Sequence, residues 1–147
     1  MWAHNSHLGD AAATEMVEQG VWHVGQLVRD QYAADAVLVG FSTHHGWVTA
    51  ASDWHEPPQR KRVREGFPGS WEDVFHHTET TRFLLPLRDD AALRSLVASQ
   101  RLQRAIGVIY RPDAERQSHY IYTRLAQQLD AAIHVDETSS VKPLDVG

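Results

Sequence analysis

The chain has 147 residues, 42% of them hydrophobic, 22% charged and none cysteine, which fits one compact domain and leaves little room for a second. Its longest apolar run, residues 33–41, is interrupted by Asp35 and falls well short of the ~18 residues of a membrane-spanning helix; the opening MWAHNSHLGD lacks the basic-then-apolar layout of a secretory signal, so no membrane partner and a cytoplasmic location are expected. A net charge of −5 runs against a nucleic-acid-binding domain, and zero Cys excludes disulfides, thiolate metal sites and a Cys nucleophile.

Residues 1–4 read as the end of a strand, and 8–20 as a loop or irregular helix. Val24, Leu27, Val28 and Tyr32 share one helical stripe. The apolar run 36–41 reads as a buried strand and 47–51 as a second, with His44-His45-Gly46 as a hairpin between them. Two prolines, the basic run Arg60 to Arg64 and Pro68-Gly69 predict a loop over 53–69. Ser70 followed by Asp73 predicts a capped helix through His77, and 82–87 a strand whose Pro86 marks an edge or exit. Asp89 or Asp90 caps a helix bearing Leu93, Leu96 and Val97. A strand is expected over 105–110, then a helix from Pro112 to Asp130, a last strand over 131–135, and a frayed tail from Ser139 to Gly147. Strands alternating with helices predict an α/β domain, a layered sheet of about four or five strands flanked by helices. In such domains sites lie beyond the carboxyl ends of strands, where His4 to His7, His44-His45 and Asp136-Glu137 all fall.

Ten histidines is the unusual count, so the imidazoles carry the functional signal. His4 and His7, three residues apart, can converge on one small region: one as a base toward water, the other orienting that water or polarising a carbonyl. The same pair could hold a divalent metal, or be polar loop residues without a role; no cofactor is required by the sequence. Asp10 either fixes an imidazole tautomer or caps a helix. His119 reads as pocket lining or helix packing, Asp136-Glu137 as a carboxylate site or, better, a solvated turn, and His76-His77 as surface. The Arg60–Arg64 run reads as a solvated face rather than a nucleic-acid patch. Trp47, Trp54 and Trp71 either wall a cleft for a large apolar ligand or cover sheet that another segment would bury. No GxSxG elbow or phosphate-cradling loop is present.

The segment Trp2-Ala3-His4-Asn5-Ser6-His7-Leu8-Gly9-Asp10 resembles the WAHNxHxGD signature of the erythromycin esterase family. The resemblance continues, in order, through 24–29, 40–43, 46, 48–51, 104–110, 115–120 and 133–138. It implies that residues 1–147 form a single domain resembling the C-terminal part of an erythromycin-esterase-like domain. It also implies ester or lactone hydrolysis of the macrolide-resistance type by His-activated water, with His4 and His7 catalytic; Asp10 and His119 are the candidate supporting residues by the readings above. Family members are several hundred residues long, and an upstream segment supplies a further His with acidic and arginine residues. Met1 stands where the family has an apolar strand residue, which points to a start inside a longer reading frame. His23 replaces a common Asn, and His44-His45 a pair that usually includes an aromatic. The expected partners are a small-molecule ester or lactone and an upstream segment or second chain completing the site. The alternative is a catalytically incompetent fragment or a binding domain.

Overall fold

A computed structural model describes residues 1–142. The architecture is mixed α/β, as expected, with the strands gathered into three small sheets flanked by short helices. In chain order the elements are α1 (Asn5–Leu8), α2 (Val24–Tyr32), β1 (Val39–Ser42), β2 (His45–Ala50), β3 (Gln59–Val63), α3 (Trp71–His76), β4 (Arg82–Pro86), α4 (Ala91–Leu96), β5 (Arg101–Arg104), α5 (Glu115–Ser118), β6 (Tyr120–Thr123), α6 (Leu125–Gln128), β7 (Ala131–Val135) and β8 (Glu137–Thr138). Among the described residues no helix is long and apolar enough to cross a membrane.

The first sheet has the order β1-β7-β4, with β1 parallel and β4 antiparallel to β7. β7 alternates strictly, putting Ala132 and His134 on the buried face, the period-2 pattern of a strand with one face on the core. That face packs on Leu38, Trp71, Phe75, Leu87, Leu125 and Leu129. The second sheet, β3-β2-β8, covers a smaller apolar cluster of Ala50, Val63 and Tyr110. β5 and β6 pair alone.

Local chemistry sets several boundaries as the sequence predicts. Ser70 Oγ accepts from Asp73 N and opens α3; Asp90 Oδ1 accepts from Leu93 N and opens α4; Pro112 begins a 3-10 turn ahead of α5. Asp130, nearly buried, is a long-range staple. Its carboxylate accepts from Leu38 N at 2.7 Å and from Arg29 and Arg88, tying α2, the entry to β1 and the exit of β4 together.

Other expectations are corrected. Residues 1–4 are not a strand. β1 and β2 form no hairpin: they belong to different sheets, because Gly46 at φ +122° turns the chain against β8, where a Cβ would lie 2.1 Å from Thr138 O. The basic run is a strand rather than a loop. Pairing with β2 satisfies its backbone, Arg60 lies 4.0 Å over the Trp47 ring, and Lys61 Nζ donates to Tyr110 O. The strand expected over 105–110 lies earlier, at β5; beyond it the chain leaves the sheet and makes only an isolated β-bridge, between Ala51 and Ile109. The helix expected from Pro112 to Asp130 is interrupted. Residues 120–123 form β6 against β5, because aromatic and β-branched residues favour a paired strand and β5 offers the partner. The tail expectation lies outside the described residues from 143 onward.

Candidate functional site

The N-terminal motif is built around β1. Asn5 acts as a substitute strand partner: its Nδ2 donates to Phe41 O, and its Oδ1 accepts from Phe41 N at 3.1 Å. This pins the start of α1 to the edge of the first sheet. His4 is the residue before the helix, with extended backbone, and its Nδ1 accepts from Ser6 N and lies 2.8 Å from Ser6 Oγ. α1 can approach α2 closely because Gly25 carries no side chain; a Cβ there would lie 2.0 Å from Leu8 O.

His4 lines a cleft of ≈ 620 Å³ whose walls include Trp2, Phe41, Val48, Ile106 and Val135 and whose polar residues include Glu72 and Arg104. Burial lowers the His4 pKa from its ordinary value, only partly offset by the Ile106 carbonyl, and the neighbouring His7 lowers it further. His4 is therefore a neutral imidazole near pH 7. Glu72 is almost fully buried in α3. Its Oε1 accepts from Arg104 N at 3.0 Å, while Oε2 is buried with no partner among the described residues. Burial pushes this carboxyl above its ordinary range, outweighing the Arg104 charge and the hydrogen bonds that favour ionisation. A lowered imidazole and a raised carboxyl on one cleft are displaced by their environments in opposite directions, the pattern of an acid/base pair.

Arg104 is the scaffold between them and the rest of the chain. Its side chain is 3% exposed, and its guanidinium donates to the carbonyls of Thr43, His44, Arg64 and Glu65. Its Nε lies 3.1 Å from Glu115 Oε1, a charge contact outside hydrogen-bond alignment.

The other predicted residues fall elsewhere. His7 is exposed and does not line the His4 cleft. Asp10 caps the 3-10 turn at Ala11–Ala13 through Ala12 N and sits 3.7 Å from Arg29 Nε. His119 is buried, with Nε2 accepting from Arg111 N at 2.9 Å, and pins the segment after β5 to the start of β6. Trp71 is in the core and Trp54 is exposed; neither they nor Trp47 line the His4 cleft.

A second polar cluster gathers at Asp136, which is partly buried, with His76 exposed at its edge as the surface reading expected. The ring of buried His44 stacks on His76 with centroids 3.8 Å apart and planes within 6°. His76 Nδ1 lies 2.8 Å from Asp136 Oδ1, and buried His134 reaches the same oxygen at 3.4 Å. Burial and the His76 charge push His44 down to about 4. Burial raises the Asp136 carboxyl, but the hydrogen bonds from His76 and His134 outweigh this and hold it below its usual range. The sequence pointed to these segments only by their places at strand ends.

Comparison with known proteins adds the following. The family model described as erythromycin esterase matches residues 1–138. Among solved structures, the chain is similar to a succinoglycan biosynthesis protein, with TM-score 0.76 and 22% identity over 94% of this chain and 32% of that one. It is also similar to a Bacillus cereus protein, with TM-score 0.74 and 18% identity over 94% of this chain and 33% of that one. These are likenesses of fold, and the chain spans about a third of the length of each.

Proposed function

The chain belongs to the erythromycin esterase family, and from that premise we propose that it carries part of a hydrolytic site for a small-molecule ester or lactone, of the macrolide-opening type. The observation that carries this reading is the placing of His4 and Glu72 on one partly apolar cleft with their proton affinities displaced in opposite directions. His4 takes a proton from the attacking water at Nδ1, the water displacing the Ser6 contacts on that atom. Glu72 is the proton donor to the carbonyl or leaving oxygen, a role that requires its side chain, whose Oε2 is sealed from solvent in this fold, to turn into the cleft when substrate binds. Phe41, Val48, Ile106 and Val135 offer apolar surface to the acyl or ring portion of the substrate. His7, exposed on α1 and outside the lining of this cleft, is proposed as the second catalytic imidazole only where the counterpart segment extends the site to it.

We further propose that a counterpart segment, in the same polypeptide or a second one, completes the site beside β1. In support, β1 is an edge strand and Trp2, Val37, Val39 and Phe41 next to it are exposed, a contiguous apolar surface of the kind that marks an interaction face. The same observation favours the second reading, a binding domain without turnover.

The two readings separate on activated esters. A 4-nitrophenyl ester has a good leaving group and needs only the base, so it reports His4 without the counterpart. The purified chain is expected to hydrolyse 4-nitrophenyl esters with one solvent oxygen appearing in the acid, and to open a macrolide ring slowly or not at all. His4→Ala is expected to lower the 4-nitrophenyl rate by about 10²-fold. An unchanged rate in that variant, with its fold intact by circular dichroism, refutes the hydrolytic assignment.

A further inference from the structure

Apart from the His4 cleft, the fold brings an adjacent pair of imidazoles together with a carboxylate from a distant part of the chain. His44 Nδ1 lies 3.1 Å from His45 Nδ1, and one ligand atom from each of His44, His45 and Asp136 lies within 4.8 Å of the others. The arrangement is prepared by backbone as well as side chains. The N–H groups of His44 and His45 both donate to Asp136 O at 3.0 Å, and β2 pairs with β8 directly beside them, His45 opposite Glu137. His76 and His134 both hold Asp136 Oδ1, and the other carboxylate oxygen has no hydrogen bond from the described residues.

We propose that His44, His45 and Asp136 form a binding site for one divalent transition-metal ion of the zinc class, with His76 orienting the carboxylate. Two imidazole nitrogens and a carboxylate oxygen are the donor set such ions take, whereas Mg²⁺ and Ca²⁺ select oxygen-only cages. At Zn–N bonds of about 2.0–2.1 Å, neighbouring ligands of a tetrahedral ion sit roughly 3.3 Å apart. The two Nδ1 atoms are already at nearly that spacing, and the partly exposed His45 ring has room to adjust. The ion replaces the proton shared between the two imidazoles. Three protein ligands leave a fourth position for water. A histidine on a ligating carboxylate is the outer-shell arrangement that fixes ligand orientation. The bound ion joins the start of β2 to the β7–β8 connection, and through His76 to the end of α3, so it stabilises the folded chain by mass action. This site is independent of His4 and His7, the pair that the sequence alone offers as a metal site.

The test is calorimetric titration of the full chain with ZnCl₂ and with MgCl₂, with Co²⁺ absorption as a report on nitrogen ligation. One equivalent of Zn²⁺ is expected to bind and to raise Tm, and Mg²⁺ to do neither. His45→Ala is expected to weaken Zn²⁺ binding at least about a hundredfold and to remove the tetrahedral Co²⁺ spectrum. His76→Gln is expected to weaken it about tenfold to a hundredfold. His4→Ala and His7→Ala are expected to bind as the parent does. Asp136→Asn adds the carboxylate; should it fail to fold, His45→Ala decides alone, since the His45 side chain bonds only to His44 among the described residues. Zn²⁺ affinity unchanged in His45→Ala, lost instead in His4→Ala or His7→Ala, equalled by Mg²⁺, or absent from the natively folded chain would overturn the proposal.

Discussion

Arg104→Met is expected to destabilise the chain by about 3–5 kcal/mol, the cost of removing one partner from a buried charged network, and to lower Tm by roughly 10–20 °C. The guanidinium satisfies four carbonyls on two loops, 43–44 and 64–65, and faces the Glu115 carboxylate. Methionine fills much of the volume but leaves those carbonyls without their donor and the buried Glu115 carboxylate without its counter-charge, with only the hydrogen bond from Tyr110 Oη at 2.8 Å remaining to it. Arg104→Lys is expected to recover less than half of the loss, because an ammonium cannot reproduce a planar fork reaching two loops at once. Chemical denaturation measures both. A loss below about 1 kcal/mol for Arg104→Met would show that water substitutes at these carbonyls. The 4-nitrophenyl esterase rate is expected to fall with stability, since Arg104 lines the His4 cleft and its own backbone N–H holds Glu72.

Glu72→Gln is expected to move stability and activity in opposite directions. In the fold, Glu72 keeps its proton above the pH at which the unfolded chain releases it. The folded state therefore binds more protons than the unfolded state between the ordinary value of 4.5 and the raised one, and stability is lost as pH rises through that window. Glutamine keeps an oxygen for Arg104 N and carries no charge to desolvate. The variant is expected to be more stable than the parent at pH 8, with a flatter pH dependence above pH 4.5. Toward an alkyl ester, whose leaving group needs a proton, the rate is expected to drop about 10²–10⁴-fold. Toward a 4-nitrophenyl ester it is expected to change less than about tenfold. Equal losses on both esters, or a variant less stable at pH 8, would show Glu72 to be a structural carboxylate with no proton to give.

The parts of this protein readable from residue order are those whose physics is local. Ser70 with Asp73, Asp90 with Leu93 and Pro112 act over three residues or fewer, and the alternation of 131–135 needs only the pleat. The helix over 24–32 follows from a stripe that repeats within itself. Two of the misreadings share one cause. Residues 120–123 become a strand because β5 lies alongside, and the basic residues 59–63 become one because β2 does; in each case a partner in another element, which the local periodicity and charge of the segment do not show, decides the state.

The same division runs through the sites. The sequence by itself determined the family and offered His4 as a candidate, because the WAHN motif is contiguous and its Asn5 needs only one strand edge to grip. Tertiary structure alone decided that Glu72 faces the cleft, since the partner of its Oε1 is 32 residues away, and that His76 meets Asp136 across 60 residues. It also decided that His4, and not His7, enters the cleft. A carboxyl or imidazole in the unfolded chain sits in water and keeps its ordinary proton affinity. Only when the fold removes that water, and substitutes named neighbours for it, does the group acquire the displaced affinity and fixed direction that chemistry requires.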